Sequence, residues 1–350
     1  MNVRVVTAAD HGWRGCVYIA PNIAGSSLRR FASACLATLA IAASGTHAAE
    51  RAYPQRPVRC LIPQSPGGAS DTVGRIVAQK LGEHFGQQFV VDNRPGATGN
   101  IGHEIAARAS PDGYTMLFTA PNLVTSPSLF AKLPFDPVRD YAPIAQLALS
   151  PNVWIVHPAF PGKSMQELIE IARAKPGTID FASSGTASTQ HLAGELLNLS
   201  AGVQLVHIPY KGGGPALIDL IGGRVQVMSS TLPSAVSHIK AGRVRALAVT
   251  SLARSSALPE VPTVAQAAGL RGYEANTWQG LLFPRGAPAP VIDRMYRAVV
   301  TVLAQGEVTT RLRDLGYEPD GSSPQEFAAF IKAEIAKWAK VIAAGKIKAE

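Results

Sequence analysis

The sequence predicts an α/β protein in which two units follow each other along the chain, each a mainly parallel sheet flanked by helices. Three observations favour this fold class. Strand-like and helix-like segments alternate, the alternation falls into two series, and 350 residues with 47% hydrophobic content are enough for two cores. The charged fraction of 16% and the lack of periodic glycine or proline exclude a disordered or fibrous chain.

The first series is predicted to have βαβαβ order. Short apolar runs predict strands at residues 58–62, 89–91 and 115–118. Apolar positions that repeat with the period of a helix, from Val73 to Phe85, predict the helix after the first strand, and Gly86 is expected to end it. A shorter helix is predicted at residues 101–109. Because helices connect successive strands, we expect the strands to run parallel.

The second series has the same alternation. Strands are predicted at residues 152–156, 179–183, 205–208, 225–228 and 244–250. Ser164 and Glu167 have the spacing of a capping box and predict the start of a helix that ends near Ala174. Further helices are predicted at residues 189–199, from Pro215 onward, 233–241, 290–304, 307–315 and 324–343, and a last strand at 278–283.

The division into lobes follows from the lack of a low-complexity linker between the two series. Without a flexible tether, we expect the lobes to be joined by strands that cross between them. The crossing strands are predicted near residues 152–156 and 278–283. The first lobe is then residues 52–150 together with 283–350, and the second lobe is residues 151–282.

The first 48 residues are interpreted as a leader that includes a secretory signal. Arg29 and Arg30 precede a short apolar stretch, which is followed by small residues. Spanning a bilayer takes about 20 apolar residues, so this stretch fits an export signal and not a membrane anchor. Cleavage is expected near Ala48. The mature protein is therefore expected to be soluble and periplasmic, and a protein with several membrane spans is excluded.

Charge and cysteine content exclude further classes. Removing the leader takes away four arginines and one aspartate, which leaves 29 basic and 23 acidic residues and a net charge of +6. These charges are scattered, whereas nucleic-acid binding requires a concentrated basic surface. Cys16 and Cys35 lie in the leader, so Cys60 remains alone. The mature chain can form neither an internal disulfide nor a cysteine zinc site.

None of the candidate enzyme or cofactor motifs in the sequence is complete. Residues 96–102 follow a strand and open a helix, but their glycine spacing is not that of a dinucleotide loop, and the next strand lacks the expected acid. Residues 162–164 resemble the end of a phosphate-binding loop, but His157 stands where its first glycine is required. His191 and Glu195 lie four apart on a predicted helix, which is more typical of a packing contact than of a metal site. We therefore expect neither a cofactor nor a metal.

Three loops rich in glycine and hydroxyl groups stand between a predicted strand and a predicted helix. They are residues 65–70, 183–188 and 210–214. The start of a helix offers unpaired backbone N–H groups and the positive end of the helix dipole, and glycine lets a ligand approach that backbone. Turn glycines are also common in any α/β protein. Two such loops on facing lobes nevertheless favour a site for a ligand with two anionic ends.

Ordered motifs over nearly the whole mature chain carry a family resemblance. They are Tyr53-Pro54-Gln55-Arg56-Pro57, Pro66-Gly67-Gly68-Ala69-Ser70-Asp71, residues 93–102, Pro111-Asp112-Gly113-Tyr114-Thr115, Leu133-Pro134-Phe135-Asp136-Pro137, His191-Leu192-Ala193-Gly194-Glu195, Pro209-Tyr210-Lys211-Gly212, residues 245–251 and Pro259-Glu260-Val261-Pro262-Thr263-Val264. In these segments the chain resembles the Bug/TctC family of extracytoplasmic solute receptors, which are associated with tripartite tricarboxylate transporters.

This resemblance implies a two-lobed clamshell of the type II periplasmic-binding kind that closes on a carboxylate. It implies that the loops matching residues 67–71 and 184–189 hold one carboxylate, partly through water, and that the far end of the ligand sets specificity. Together with the departures below, the implied ligand-binding residues are Gln64, Ser65, Gly67, Gly68, Ala69, Ser70, Asp71, Ser184, Gly185, Thr186, Ala187, Ser188, Thr189, Tyr210, Ser230 and Thr231.

The chain departs from the family pattern at two places. Gln64 and Ser65 stand where many relatives carry an aromatic residue and a proline, and residues 229–231 read Ser-Ser-Thr where many carry Phe-Asp-Asn. The second change removes a carboxylate that could meet an amino group. We therefore expect an unaminated mono- or dicarboxylate, aromatic ones included.

Several of these residues have a second, purely structural interpretation. Asp71 and Ser70 can cap their own helix, Lys211 can steer anions or be a solvated loop residue, and Tyr210 can wall the cleft or pack in the core. Trp154 and Trp278 lie on the predicted crossing strands and are interpreted as hinge packing.

Three function classes follow. A monomeric solute receptor that delivers its ligand to the membrane subunits of a tripartite tricarboxylate-type transporter requires anion sites and a hinge, and the sequence supplies both. A receptor that delivers the same ligand to a sensor-kinase ectodomain has identical requirements. An exported hydrolase requires a nucleophile with a positioned base, and none is recognisable. The sequence therefore favours a receptor over an enzyme.

Overall fold

The computed structural model describes residues 53–67 and 69–348, so the predicted leader and its cleavage position lie outside the described residues. The strands are β1 (Val58–Ile62), β2 (Phe89–Asn93), β3 (Thr115–Thr119), β4 (Tyr141–Val156), β5 (Asp180–Ser183), β6 (Val206–Pro209), β7 (Val227–Thr231), β8 (Arg245–Val249), β9 (Asn276–Pro284) and β10 (Glu318–Ser322). The α-helices are α1 (Ala69–Phe85), α2 (Asn100–Ala107), α3 (Asn122–Leu129), α4 (Met165–Ala174), α5 (Thr189–Ala201), α6 (Gly213–Ile221), α7 (Leu232–Lys240), α8 (Val264–Ala268), α9 (Ala289–Leu303), α10 (Gly306–Asp314) and α11 (Pro324–Ala344).

The first group of paired strands, called the first sheet, contains β1, β2, β3, β9, β10 and the first part of β4. Strand β1 pairs in parallel with β2 and with β3, as the βαβαβ pattern predicts. Strand β9 then pairs antiparallel with β3 and with residues 141–151 of β4, and β10 pairs antiparallel with β4. The carboxyl ends of three parallel strands therefore lie at one edge of this sheet.

The second group, called the second sheet, contains β5, β6, β7, β8 and the last part of β4. Strand β5 pairs in parallel with β6 and with β7. Residues 152–156 of β4 pair antiparallel with β7 and with β8. Strand β4 is thus a 16-residue strand that belongs to both sheets, and its pairing changes between Pro151 and Asn152. The sequence predicted only its second part.

Helix boundaries follow local chemistry. The Ser164 side chain accepts a hydrogen bond from the Glu167 amide at 3.1 Å and so caps α4, as predicted. The reciprocal bond of the predicted capping box differs, because the Glu167 carboxylate accepts from the Lys163 amide at 2.7 Å. Gly86, directly after α1, has φ of 66°, which suits the glycine that was expected to end this helix.

Large aromatic side chains fill the core beside the strands that join the sheets. Trp154 and Trp278 are almost fully buried. The Trp154 Nε1 donates to the Tyr273 hydroxyl at 3.2 Å, and Trp278 packs edge-on against Phe327. Trp278 therefore packs where β9 pairs with β4, and Trp154 packs where β4 pairs with β7 and β8, which agrees with their interpretation as packing residues. Among the described residues, no helix combines the length and the apolar character needed to cross a membrane.

Cys60 lies on β1 and is fully buried, and this burial raises the pKa of its thiol well above the ordinary value. We expect the folded mature protein to react slowly with Ellman's reagent and to release one equivalent of thiol after unfolding in guanidinium. Absorbance of the released thiolate measures both rates. Complete and rapid reaction of the native protein would contradict the buried position of Cys60.

Candidate functional site

A cavity of about 610 Å³ opens where loops of the two sheets face each other. Its lining comes from the loops that follow β1, β2, β3 and β5, all at carboxyl ends of parallel strands, and from the helices that these loops open. The lining residues are Pro63, Gln64, Ser65, Pro95, Gly96, Thr98, Gly99, Ala120, Pro121, Asn122, Thr125, Leu129, Thr186, Ala187, Ser188, Thr189 and Leu192.

The loop after β1 is held by the carboxylate of Asp71. The Asp71 side chain is almost fully buried and accepts from the Gly67 amide at 2.9 Å, from Arg75 at 2.9 Å and from Asn93 at 3.0 Å. Burial by itself raises the pKa of Asp71, but these hydrogen bonds outweigh it, and the pKa lies below the ordinary value. Asp71 therefore stays ionised and positions the loop that carries Gln64 and Ser65 into the cavity.

The loop after β2 contains a run of residues with positive φ. Gly96, Ala97, Thr98 and Gly99 have φ of 123°, 48°, 57° and 92°. Residues other than glycine adopt such values uncommonly, and backbone strain of this kind concentrates at functional sites. Among the described residues other than glycine, positive φ occurs at Ala97, Thr98, Ala187 and Lys346, and the first three lie in loops of this cavity.

The loop after β3 contributes Asn122, whose side-chain amide is held in place at the cavity together with that of Gln64. The Asn122 Nδ2 donates to the Thr98 carbonyl at 2.7 Å, which sets the orientation of the Asn122 amide. Its Oδ1 then accepts from the Gln64 Nε2 at 3.3 Å. The Gln64 Oε1 is buried without a hydrogen-bond partner. Three loops of the first sheet are thus tied to one another where they line the cavity.

The loop after β5 forms the opposite wall and leads into α5. The Ser188 hydroxyl accepts from the His191 amide at 3.2 Å and caps this helix, and Ala187 has φ of 59°. The Thr189 hydroxyl hydrogen-bonds to the Thr277 hydroxyl at 3.1 Å, and Gln190 donates to Asn152 at 3.0 Å. These two bonds connect the wall to strands β9 and β4.

Three helices begin at the cavity, namely α2, α3 and α5. Their first residues or the loops before them are in the lining, so the positive ends of their helix dipoles are near it. The lining contains no Asp, Glu, Lys or Arg. An anion here would be stabilised by backbone dipoles and neutral donors, without a formal counter-charge.

A smaller cavity of about 140 Å³ lies at the starts of α6 and α7. It contains three of the residues predicted to bind ligand, namely Ser184, Ser230 and Thr231. The Ser184 hydroxyl hydrogen-bonds to Gln190 at 2.7 Å, and Thr231 to Ser234 at 2.8 Å. The structure therefore separates these three residues from the main group of predicted residues.

Of the predicted ligand residues, Gln64, Ser65, Thr186, Ala187, Ser188 and Thr189 line the larger cavity. Gly67, Ser70, Asp71, Gly185 and Tyr210 are not in the lining of either cavity described above. Gly68 lies outside the described residues, and Ala69 is the first residue of α1.

The alternative, structural interpretations fit several of these side chains. The Tyr210 hydroxyl donates to Asp219 at 3.0 Å, and its ring packs against the core of the second sheet. Asp71 lies in the first turn of α1, where it accepts from the Gly67 amide instead of standing at the cap position, because α1 begins at Ala69. The Lys211 side chain is exposed.

His191 and Glu195 come together as their spacing predicts, with 3.6 Å between Nε2 and Oε1. His191 is stacked on His207, and its Nδ1 accepts from the Ala187 amide at 3.0 Å, so packing and hydrogen bonding account for the pair. Among the residues that the structure describes, no group of three or more His, Cys, Asp or Glu side chains is arranged to hold a metal ion.

The sequence analysis did not assign residues 96–99, Asn122 and Thr125 to the site. Residues 96–102 were compared with a dinucleotide loop and counted among the family motifs, but they were not named as ligand-binding residues. No helix was predicted at α3, where Pro127 disfavours one. A usable signal was present nevertheless. Residues 120–122 come shortly after the third predicted strand, and ligands of parallel sheets bind at carboxyl ends of strands.

Comparison with protein families gives one match over most of the chain. Residues 73–347 match the family described as tripartite tricarboxylate transporter family receptor. The chain is 39% identical over 330 residues to a UPF0065 protein of a Pseudomonas species, a match that covers 94% of this chain and 98% of the relative. It is 35% identical over 292 residues to protein BugT of Bordetella pertussis, covering 83% and 89%.

Solved structures have the same fold. An R. palustris protein in complex with adipate has a TM-score of 0.71 and 37% identity, covering 85% of this chain and 99% of that one. The periplasmic binding protein BugD has a TM-score of 0.68 and 35% identity, covering 85% and 100%. MatC from Rhodopseudomonas palustris with bound malate has a TM-score of 0.67 and 32% identity, covering 83% and 100%. The predicted fold class, a periplasmic-binding clamshell, is therefore confirmed.

Proposed function

Because this chain belongs to the tripartite tricarboxylate transporter receptor family, whose members are periplasmic solute-binding receptors, we propose that it captures a small unaminated carboxylate in the cavity of about 610 Å³. The mature protein acts as a monomer in the periplasm after cleavage near Ala48. It delivers the ligand to the membrane subunits of a tripartite tricarboxylate-type transporter.

The observation that carries the proposal is the convergence of three helix N-termini on a cavity whose lining has no charged side chain. Anions bind well at such positions because N–H groups and dipoles point at them. The wall contributed by α5 lies opposite the walls contributed by α2 and α3. A dicarboxylate therefore finds donors for both of its ends, whereas a cation finds no counter-charge.

The ligand class follows from the same lining. A bound amino acid would leave its ammonium without a carboxylate partner, and a buried unpaired charge is costly. Adipate and malate, which the two R. palustris proteins hold, are both dicarboxylates without an amino group. They are small relative to about 610 Å³, which leaves room for bridging water. We extend this ligand class to mono- and dicarboxylates, aromatic ones included.

The mechanism is closure of two lobes on the ligand, without a bond being made or broken. We assign residues 52–150 and 283–350 to one lobe and residues 151–282 to the other, with the hinge where β4 changes sheets at Pro151 and Asn152. The ligand favours the closed form because only that form offers contacts from both walls. The bonds from Thr189 to Thr277 and from Gln190 to Asn152 connect the second wall to the hinge strands.

A thermal-shift screen followed by calorimetry tests the proposal. Adipate, malate, benzoate and citrate are compared with aspartate and glutamate on the purified mature protein. A ligand present at 100 times its Kd stabilises the native state by about 2.7 kcal/mol, which raises the Tm measurably. We expect unaminated carboxylates to raise the Tm and aspartate and glutamate to leave it unchanged. Tighter binding of the amino acids, or chemical conversion of a bound carboxylate, would overturn the proposal.

A further inference from the structure

The cavity of about 610 Å³ changes in polarity along helix α3. Asn122, Thr125 and Leu129 all line it, and their spacing of three and then four residues places them on one face of this helix. Asn122 is the first residue of α3 and Leu129 is the last. With a rise of about 1.5 Å per residue, the cavity therefore follows the helix over about 10 Å.

The start of α3 is its polar end. The Asn122 side chain donates to the Thr98 carbonyl at 2.7 Å and accepts from Gln64 at 3.3 Å. The positive end of the helix dipole lies here and stabilises an anion. One turn farther along, the Thr125 hydroxyl donates to the Asn122 carbonyl at 3.5 Å, so its proton is engaged within the helix. A ligand carboxylate is therefore best placed beside Asn122 and not farther along α3.

The far end of α3 is apolar. Leu129 is half-buried and packs against the main cluster of core residues. A carboxylate is disfavoured at this end for two reasons, because the negative end of the helix dipole lies here and because the leucine side chain offers no hydrogen bond. A hydrocarbon group is favoured, since it leaves water when it packs against Leu129.

Helix α5, on the opposite wall, has the same order of side chains. Ser188 and Thr189 line the cavity at the start of this helix, and Leu192 lines it one turn farther along. Leu192 is fully buried and belongs to the core cluster against which Leu129 packs. The two leucines are called the leucine pair here. Both walls thus change from polar to apolar with distance from the helix starts.

We propose that Leu129 and Leu192 are specificity-determining residues that select a carboxylate with an apolar body, whose carboxylate lies at the helix starts and whose hydrocarbon chain or ring lies against the leucine pair. The position of the carboxylate rests on the proposed function. A dicarboxylate fits where both of its carboxylates reach helix starts and only its hydrocarbon body meets the leucines. The ligand class is thereby narrowed to carboxylates without a hydroxyl or charged group on the part that meets the leucine pair.

Calorimetry with butyrate, hexanoate and 6-hydroxyhexanoate on the purified mature protein tests the proposal. A methylene group that is fully removed from water contributes about fourfold in affinity. We expect hexanoate to bind about tenfold more tightly than butyrate. The hydroxyl of 6-hydroxyhexanoate would be buried without a partner, so this acid should bind about tenfold more weakly than hexanoate. Equal affinities of butyrate and hexanoate would overturn the proposal.

A Leu129→Asn variant replaces the apolar side chain with a polar one of similar size. We expect it to lower the affinity for hexanoate to that for butyrate, which is too short to span α3 and should bind as in the wild type. Leu199→Asn is the matched control, because Leu199 also lies near the end of a helix but is 52% exposed and is not in the lining. It should keep the preference for hexanoate. A loss shared equally by butyrate and hexanoate in Leu129→Asn would refute the assignment of Leu129 to the hydrocarbon chain.

Hexanol separates this proposal from the proposed function, because it has the chain of hexanoate without the carboxylate. We expect it to bind at least about 100-fold more weakly than hexanoate. If hexanol binds as tightly as hexanoate, the proposed carboxylate site fails while the role of the leucine pair stands. If carboxylates bind without any effect of chain length, the role of the leucine pair fails while the proposed function stands. If neither the acids nor the alcohol bind, both proposals are refuted.

Discussion

A Thr98→Asp variant is expected to lose about 100-fold in affinity for dicarboxylates while its fold is retained. Thr98 lines the cavity and lies two residues before the start of α2, in the loop with positive φ. A new carboxylate about 6 Å from a ligand carboxylate, at an effective dielectric constant of about 20, opposes binding by about 3 kcal/mol. Each 1.4 kcal/mol corresponds to about tenfold in affinity. Calorimetry with adipate measures the loss.

Thr98→Asn is the matched control, because asparagine has nearly the shape of aspartate without its charge. Both residues tolerate the left-handed φ of 57° found at this position. The Thr98 carbonyl, which accepts from Asn122, is part of the backbone and remains in both variants. An acid before α2 also suits the helix dipole, so the Tm without ligand should not fall. Equal adipate affinity in the two variants would mean that no anionic group binds near the start of α2.

The spacing of apolar residues predicted most of the strands and helices, because burial against a sheet or on one face of a helix leaves a regular apolar pattern in the sequence. Elements with weak patterns were missed. Helix α3 contains Pro127, which argues against a helix in sequence terms, although the helix forms here. The first part of β4 carries Pro143, and β10 carries Pro319 and Gly321, so neither resembles a strand. Pairing with β9 holds the first part of β4 as a strand, and pairing with β4 holds β10 as a strand, although their local sequences do not favour strands.

The sequence predicted that loops between a strand and a helix form the site, but it did not predict all of the loops that line the cavity. Residues 65 and 186–189 were expected at the site because they follow strands and open helices, and they line the cavity. Residues 96–99 also follow a strand and precede a helix, but their glycine spacing does not match a dinucleotide loop, and the sequence analysis did not assign them to the ligand. Asp71 forms a hydrogen bond with Asn93, and Tyr210 forms one with Asp219. No sequence pattern shows that the two residues of either pair lie close together in the fold.

A Gly194→Ala variant is expected to lose about 3 kcal/mol in unfolding free energy and about 5–10 °C in Tm. An ideal Cβ on Gly194, in the middle of α5, would lie 2.0 Å from the Cζ of Phe181. Phe181 is fully buried and packs against Trp154 and His207, so its ring has no free space to enter. The overlap outweighs the gain of about 1 kcal/mol that alanine normally brings to a helix interior. Thermal and guanidinium unfolding followed by circular dichroism measure the loss.

Two further variants show whether the overlap with Phe181 is the cause. Gly306→Ala, at the start of α10, places its Cβ in open space and should leave the Tm unchanged or slightly raised. Phe181→Leu leaves a cavity and destabilises by itself, but it also removes the ring that the added methyl group would meet. The double variant should therefore be more stable than the sum of the two single losses predicts, since residues in contact are not additive. Strict additivity would show that α5 and β5 separate to accept the methyl group, and that their close approach at Gly194 contributes little to the stability of the second sheet.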